Sequence, residues 1–400
     1  MTDTTAPAAP RSSLGTTTFA IIAAVSFCHM LNDVLQSMLS AIYPMLKDNY
    51  GLEFWQIGVL TLTFQVTASL LQPLIGLVID KRPMPYSLPV GMGSSLVGLV
   101  LLALAHSYAM LLVGAALIGI GSAIFHPESS RVARTASGGR YGMAQSFFQV
   151  GGNFGQAIGP LLAAFIIVPR GQGSVAWFAL AALVGIVVLW RVGRWYEQQR
   201  RAASARGAVS STMPLSRRRT TAILIVLMML TFSKNIYTAA FSSYYTFFTI
   251  ERFGLSLESA QIMLFLFLGA FALGTVLGGP IGDRIGNKAV IWFSILGALP
   301  FSLALPYVDL FWTGALSIVI GLIMASSFPA ILVMAQELVP GRVGMVAGIF
   351  FGFAFGMGGI AAAVLGVIAD ARGIEYVYWL CSFLPAMGLL AVFLPDIRPR

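Results

Sequence analysis

Apolar runs of about 20 residues, long enough to cross a bilayer core as a helix, follow one another along almost the whole chain. Short charged or Gly/Pro-rich breaks separate them. They predict twelve spans, at 17–43, 55–79, 88–105, 109–129, 143–168, 175–194, 221–250, 258–282, 289–307, 310–336, 343–369 and 376–394. Runs this long exclude a β-barrel, whose strands alternate apolar and polar residues over about 10 positions. The expected fold is all-α and integral to the membrane.

One break is long and basic, from 195 to 220, and includes Arg200, Arg201, Arg206 and Arg217 to Arg219. The expected organisation is a six-helix bundle over 17–194, a cytoplasmic linker over 195–220 and a second six-helix bundle over 221–395. Tails lie at 1–16 and 396–400. The first is Thr/Ala/Pro-rich and reads as a disordered tail, with no cleaved signal peptide.

The two bundles are weak copies of each other. Gly-Arg-Tyr-Gly-Met-Ala at Gly139 to Ala144 returns 202 residues later as Gly-Arg-Val-Gly-Met-Val at Gly341 to Val346. The same offset carries Pro127 onto Pro329 and Asn32-Asp33 onto Lys234-Asn235. A parallel repeat of this kind predicts two pseudo-symmetric bundles, related by an axis along the membrane normal, facing each other across a central cavity.

Composition agrees with a membrane solvent: 58% of residues are hydrophobic, 10% are charged and the mean hydropathy is +0.85, against about 25% charged residues in soluble domains. The net charge of +9 and pI near 9.8 do not indicate nucleic acid, because the basic residues lie in short loops. Of 24 Lys and Arg, 19 fall on the side of both termini. Four lie opposite (Lys47, Arg170, Arg252, Arg372), and Lys234 is inside a span. The positive-inside rule then makes both termini and the linker cytoplasmic, with anionic lipid headgroups as partners of the basic loops. Cys28 and Cys381 have no partner at metal or redox spacing and read as packing residues. His29, His106 and His126 have no mutual spacing that suggests a metal site, so no metal or cofactor is expected.

A charge inside the hydrocarbon costs several kcal/mol unless it is paired or wet, so the few polar residues within spans are the candidates for function. His29, Asn32, Asp33 and Gln36 share one face of the first span. Lys234 and Asn235 occupy the matching depth in the seventh. Two arrangements fit: Asp33 and Lys234 neutralise each other across the cavity, or Lys234 binds an anionic substrate while Asp33 carries a proton. In the fourth span His126, Glu128 and Arg131 crowd around Pro127, and Glu128 can pair with Arg131 at i and i+3. The second half keeps only the proline, Pro329. Pro127 and Pro329 are expected to bend their helices, as is Pro160, which follows Gly155 and Gly159 on one packing face of the fifth span.

The loop after the second span of each half carries Gly-x-x-x-Asp and a basic residue: Gly76, Asp80 and Lys81, then Gly279, Asp283 and Arg284. These six residues are read as a conformational latch, each aspartate facing a helix N-terminus or a basic partner.

The second loop resembles the signature loop of the major facilitator superfamily; the first departs from it at Pro83-Met84-Pro85. The run of Ser26 to Asp33, the Phe125 to Arg134 segment and the stretch from Ala136 to Asn153 resemble bacterial inner-membrane drug efflux transporters of that superfamily, the group that exports fosmidomycin. The resemblance implies export of this small phosphonate anion, and of other drugs, from the cytoplasm in exchange for protons. A phosphonate needs cations and hydrogen-bond donors, and the candidates are His29, Asn32, Gln36, His126, Arg131, Gln149, Asn153, Lys234 and Tyr237. Asp33 and Glu128 are the proton-coupling candidates. The protein is expected to work as a monomer. The competing readings are a proton-coupled importer of an organic anion and a non-transporting membrane sensor. An enzyme is not expected: the Gly-rich runs lie inside spans, and no set of catalytic spacing occurs.

Overall fold

The computed structural model describes residues 17–205 and 215–396. The tail over 1–16, the middle of the linker and residues 397–400 lie outside them. Every regular element in the described residues is helical. Eleven helices are long and apolar enough to cross a membrane, and a twelfth, Ser87–Ala103, is shorter.

We number the crossing helices α1 (Phe19–Ala41), α2 (Gln56–Lys81), α3 (Ser87–Ala103), α4 (Tyr108–Ala136), α5 (Tyr141–Arg170) and α6 (Gln172–Ala202) in the first half. The second half holds α7 (Arg217–Phe253), α8 (Ile262–Ile285), α9 (Asn287–Tyr307), α10 (Leu310–Leu338), α11 (Val343–Arg372) and α12 (Ile374–Phe393). A two-turn helix, Tyr43–Tyr50, follows α1 and ends on Gly51 in the left-handed conformation. The face of the molecule that carries the segment between α6 and α7 is called here the linker face, and the opposite one the far face.

Helix continues beyond the last apolar residues wherever the flanking sequence favours it. The sixth helix runs to Ala205 and the seventh starts at Arg217, so both reach into the stretch predicted as linker. Glu197 and Arg201, at i and i+4, pair there.

The prolines act differently from one another. The helix passes through Pro127 without a break, whereas α10 is interrupted at Ala325 and Ser326 and restarts at Ser327, putting Pro329 in the first turn of the new segment, where a missing N–H costs nothing. Past Pro160, α5 takes up one π-helical turn, Ala163–Ile167, the local adjustment that re-pairs carbonyls a proline has freed.

Small residues set how closely the helices approach. A Cβ on Gly151 would stand 2.0 Å from the Ser26 carbonyl, one on Gly155 2.3 Å from that of Met30, and one on Gly159 1.8 Å from the Ser37 hydroxyl. The glycine run therefore seats α5 directly on the backbone of α1. Between the halves, α2 packs on α11 and α5 on α8. α1 and α7, the two helices with polar faces, make no such extended contact with each other.

Candidate functional site

The polar face of α1 meets α4 and α5 inside the first half. His29 Nε2 lies 3.2 Å from His126 Nε2, 97 residues away in sequence. The Asp33 carboxylate is 3.5 Å from His29 Nε2 and 3.6 Å from His126 Nε2. All three side chains are buried. The linear spacing of the histidines offers no metal set, but the fold brings two of them together with an aspartate, their ligand atoms all within 4.8 Å of one another.

The backbone fixes the rings. His29 Nδ1 is 2.7 Å from the Phe148 carbonyl and His126 Nδ1 is 3.0 Å from that of Ser122. A carbonyl only accepts, so each Nδ1 carries a hydrogen and each Nε2 is turned toward the other and toward Asp33, as a lone pair on a neutral ring and as N–H on an imidazolium. His29 also stacks on Phe148, with ring centroids 4.1 Å apart.

Three amides hold the carboxylate. Asn32 and Gln36 donate to Asp33 Oδ1, each at 3.1 Å, and Gln156 of α5 donates to Oδ2 at 3.0 Å. Ser122 in turn donates to Gln36 at 2.9 Å. Gln156 and Ser122 were not singled out in the sequence. The signal for Gln156 was available, since it follows Gly152 and Asn153 at helical spacing on a small-residue face.

Asp33 does not pair with Lys234. The Lys234 ammonium donates to Asn235 Oδ1 at 3.4 Å and lies 5.1 Å and 5.6 Å from the Phe271 and Phe328 ring centres. Among the described residues no carboxylate comes within ion-pair distance of it. Phe351 and Phe355 of the second half pack on His126 at 5.1 Å and 4.9 Å, and Phe351 packs on Phe328 at 5.2 Å. An aromatic layer thus separates the histidine–aspartate cluster from the lysine, and the direct pairing expected between Asp33 and Lys234 is not made in this conformation.

The other predicted residues divide. Gln149 is half-buried, and its Oε1 lacks a partner among the described residues. Asn153 donates to Thr275 of α8 at 3.1 Å, joining the halves at mid-membrane. Tyr237 lies instead in the second-half core, 5.3 Å from Phe241; its ring fills an apolar position one helical turn beyond Ser233.

Glu128 and Arg131 form a buried two-contact ion pair, both contacts 3.0 Å. Arg131 also donates to the Ile79 carbonyl at 2.9 Å and approaches Asp80 at 3.8 Å. This group belongs to the linker-face end of α2 and α4, away from the central cluster.

There the two halves repeat each other. Asp80 accepts from the Gly344 and Met345 amides at 2.9 Å and 2.7 Å, in the first turn of α11. Asp283 accepts from the Gly142 and Met143 amides, both at 2.8 Å, in the first turn of α5. Each carboxylate satisfies donors that the helix leaves open and meets the positive end of the helix dipole. A Cβ on Gly76 would stand 2.2 Å from the Gly344 carbonyl, and one on Gly279 2.3 Å from that of Gly142.

The repeated Gly-Arg-x-Gly-Met motif is thereby explained. Its first glycine, Gly139 or Gly341, turns the chain with φ of 89° or 80°. Its second, Gly142 or Gly344, admits the opposite half. Lys81 and Arg284 are exposed and take no part in these bonds. Between these two carboxylate–amide contacts, Gln336 donates to Ser130 at 3.0 Å and accepts from Arg134 at 3.4 Å. Arg134 and Gln336 are themselves 202 residues apart, so repeat-related positions meet at the axis. These contacts close the linker face.

A twelve-helix membrane fold of two like halves, with buried polar side chains within its spans, defines a secondary transporter. The chain belongs to the Major Facilitator Superfamily, which it matches over residues 25–363 and 240–400, a family of transporters and not of enzymes. It is 58% identical over 395 residues to the fosmidomycin resistance protein of Escherichia coli (strain K12), covering 99% of this chain and 97% of that protein. It is 40% identical over 388 residues to an uncharacterized MFS-type transporter, YfnC, of Bacillus subtilis (strain 168), covering 96% of this chain and 94% of that one. In fold it is similar to the crystal structure of the E. coli fucose:proton symporter FucP, with a TM-score of 0.72 at 16% identity over 94% of this chain and 98% of that one.

Proposed function

We propose that this transporter exports fosmidomycin, and other small anionic drugs, from the cytoplasm by alternating access in exchange for protons. One observation carries the anion reading: a lysine in the membrane core, Lys234, whose charge no carboxylate neutralises within ion-pair distance among the described residues. A cation held there is costly until an anion neutralises it. The Asn235 Nδ2 beside it is buried without a partner and supplies a second donor suited to a phosphonate oxygen. The 58% identity to a fosmidomycin resistance protein supports the choice of substrate.

The excess of basic residues in its loops supports a cytoplasmic linker face in a bacterial inner membrane, and the contacts closing that face support an outward-facing conformation. Release of the drug and protonation of Asp33 or Glu128 precede the return, in which the two latches part. The protein acts as a monomer, since cleft and latches are complete within one chain.

An anion leaving an inside-negative cell gains about 2.3 kcal/mol per charge per 100 mV. Voltage alone therefore makes export downhill, and proton exchange has to be tested apart from it. The experiment is fosmidomycin flux in proteoliposomes under separately imposed pH and voltage gradients. Flux driven by a pH gradient at zero voltage is expected. Flux that follows voltage and ignores pH would sink the antiport and leave a uniporter; absence of fosmidomycin flux under either gradient would sink the substrate.

A further inference from the structure

We propose that His29, His126 and Asp33 form a binding site for a divalent first-row transition-metal ion, zinc being the ion that fits the donor set. The inference rests on the geometry of the cluster and not on the transport reading.

Three donors converge. Both imidazoles turn Nε2 inward, because each Nδ1–H is spent on a backbone carbonyl, at 2.7 Å for His29 and 3.0 Å for His126. That is the arrangement by which metal-ligating histidines are oriented. The two nitrogens are 3.2 Å apart, His29 Nε2 lies 3.5 Å from Asp33 Oδ2 and His126 Nε2 lies 3.6 Å from Asp33 Oδ1, and one ligand atom from each residue lies within 4.8 Å of the others. Zinc–nitrogen and zinc–oxygen bonds of about 2.0–2.2 Å put tetrahedral ligands roughly 3.3–3.6 Å apart, so each of these contacts has the spacing of neighbouring zinc ligands, and a small turn of the carboxylate brings one oxygen to both nitrogens.

The surroundings fit as well. Asn32, Gln36 and Gln156 donate to the carboxylate and would orient it toward the ion, as outer-shell partners do. Ser122 anchors Gln36. A Cβ on Gly152 would lie 2.5 Å from His29 Nε2 and 3.0 Å from Asp33 Oδ2; the glycine keeps clear the space beside both ligand atoms. The nearest basic residue of the same half, Arg131, is committed to Glu128, and Lys234 lies beyond the aromatic layer, so no fixed cation repels the ion. Two imidazoles with one carboxylate suit zinc, nickel or copper, whereas magnesium and calcium require more oxygen ligands. Gln156, the exposed one of the three amides, is the side chain that gives way for entry.

The test uses tag-free, chelator-stripped full-length protein in detergent, titrated with zinc chloride by calorimetry, and with cobalt chloride to read the visible absorption of a tetrahedral ion. One ion per chain is expected. His126→Ala, His29→Asn and Asp33→Asn should each lower binding to background while the protein stays monodisperse. His106→Ala, at an exposed histidine, should leave binding unchanged. Gln36→Ala, which keeps every ligand, should weaken binding roughly 10- to 100-fold, a loss that general unfolding would not grade. Absence of saturable binding, or binding that survives the three ligand substitutions, overturns the proposal. Because binding is read on the resting protein, a failure here leaves fosmidomycin flux untouched, and a failure of flux leaves the ion site standing.

Discussion

At the linker face the two halves match contact for contact, and at mid-membrane they share almost nothing. Asp80 on the start of α11 and Asp283 on the start of α5 are the same interaction made twice. At the depth of Asp33, by contrast, the first half holds a buried cluster of two histidines and an aspartate, and the second holds a single lysine among phenylalanines. The difference separates two demands on a duplicated fold. Opening and closing requires both halves to let go together, which favours like contacts about the axis. Recognition and coupling require groups of opposite character on the two walls, which a symmetric cleft cannot supply. The one asymmetry at the latches is the Glu128–Arg131 pair behind Asp80, a support that Asp283 lacks because Ala330 and Val333 stand at the matching positions.

Substitutions at the two levels should therefore behave differently. The largest effect is expected from Lys234→Ala, which removes the charge the anion would meet. A charge-assisted hydrogen bond contributes about 1.5–3 kcal/mol, so fosmidomycin flux should fall by roughly 10- to 150-fold with unchanged thermal stability. Retained flux would take Lys234 out of the site.

Next, Gly279→Ala or Gly76→Ala drives a methyl into the backbone of the opposite half, at a cost of about 1–3 kcal/mol for overpacking. Spin labels across the linker face should report a shift toward the separated state in either variant. If only one of the two shifts it, the halves do not share the closing interface equally.

Smaller is the effect expected of Asp283→Asn, where the amide keeps an acceptor but loses the charge facing the helix N-terminus, worth about 0.3–1 kcal/mol. Asp80→Asn should cost more than Asp283→Asn because it also removes the charge facing Arg131 at 3.8 Å; equal shifts in the same distance measurement would remove that buttress from the account. The weakest effect belongs to Gln336→Ala at the axis. Its loss should move the spin-label distribution by less than about 1 kcal/mol, and a larger shift would make the axial pair a third latch.

Much of this was written in the chain. Twelve apolar runs, their break after the sixth and the 202-residue repeat determine a two-half helical bundle, because a bilayer leaves a long apolar segment no other way to satisfy its backbone. The repeated glycine–aspartate pattern at a helix end was readable too, whereas the amides each aspartate meets, 140 to 265 residues away in the opposite half, had no linear signature. What only the tertiary structure decided is which polar side chains meet. His29 and His126 are 97 residues apart and come together because the glycines of α5 let α1 sink against it, a packing result with no linear signature. Lys234 and Asp33 fall at adjoining positions of the repeat, Lys234 on Asn32 and Asp33 on Asn235, yet stay apart, because the phenylalanines of α10 and α11 fill the space between them. Periodicity reports the face a residue occupies. Who stands opposite depends on how closely two helices approach, and that is set by the volumes of side chains far away in sequence.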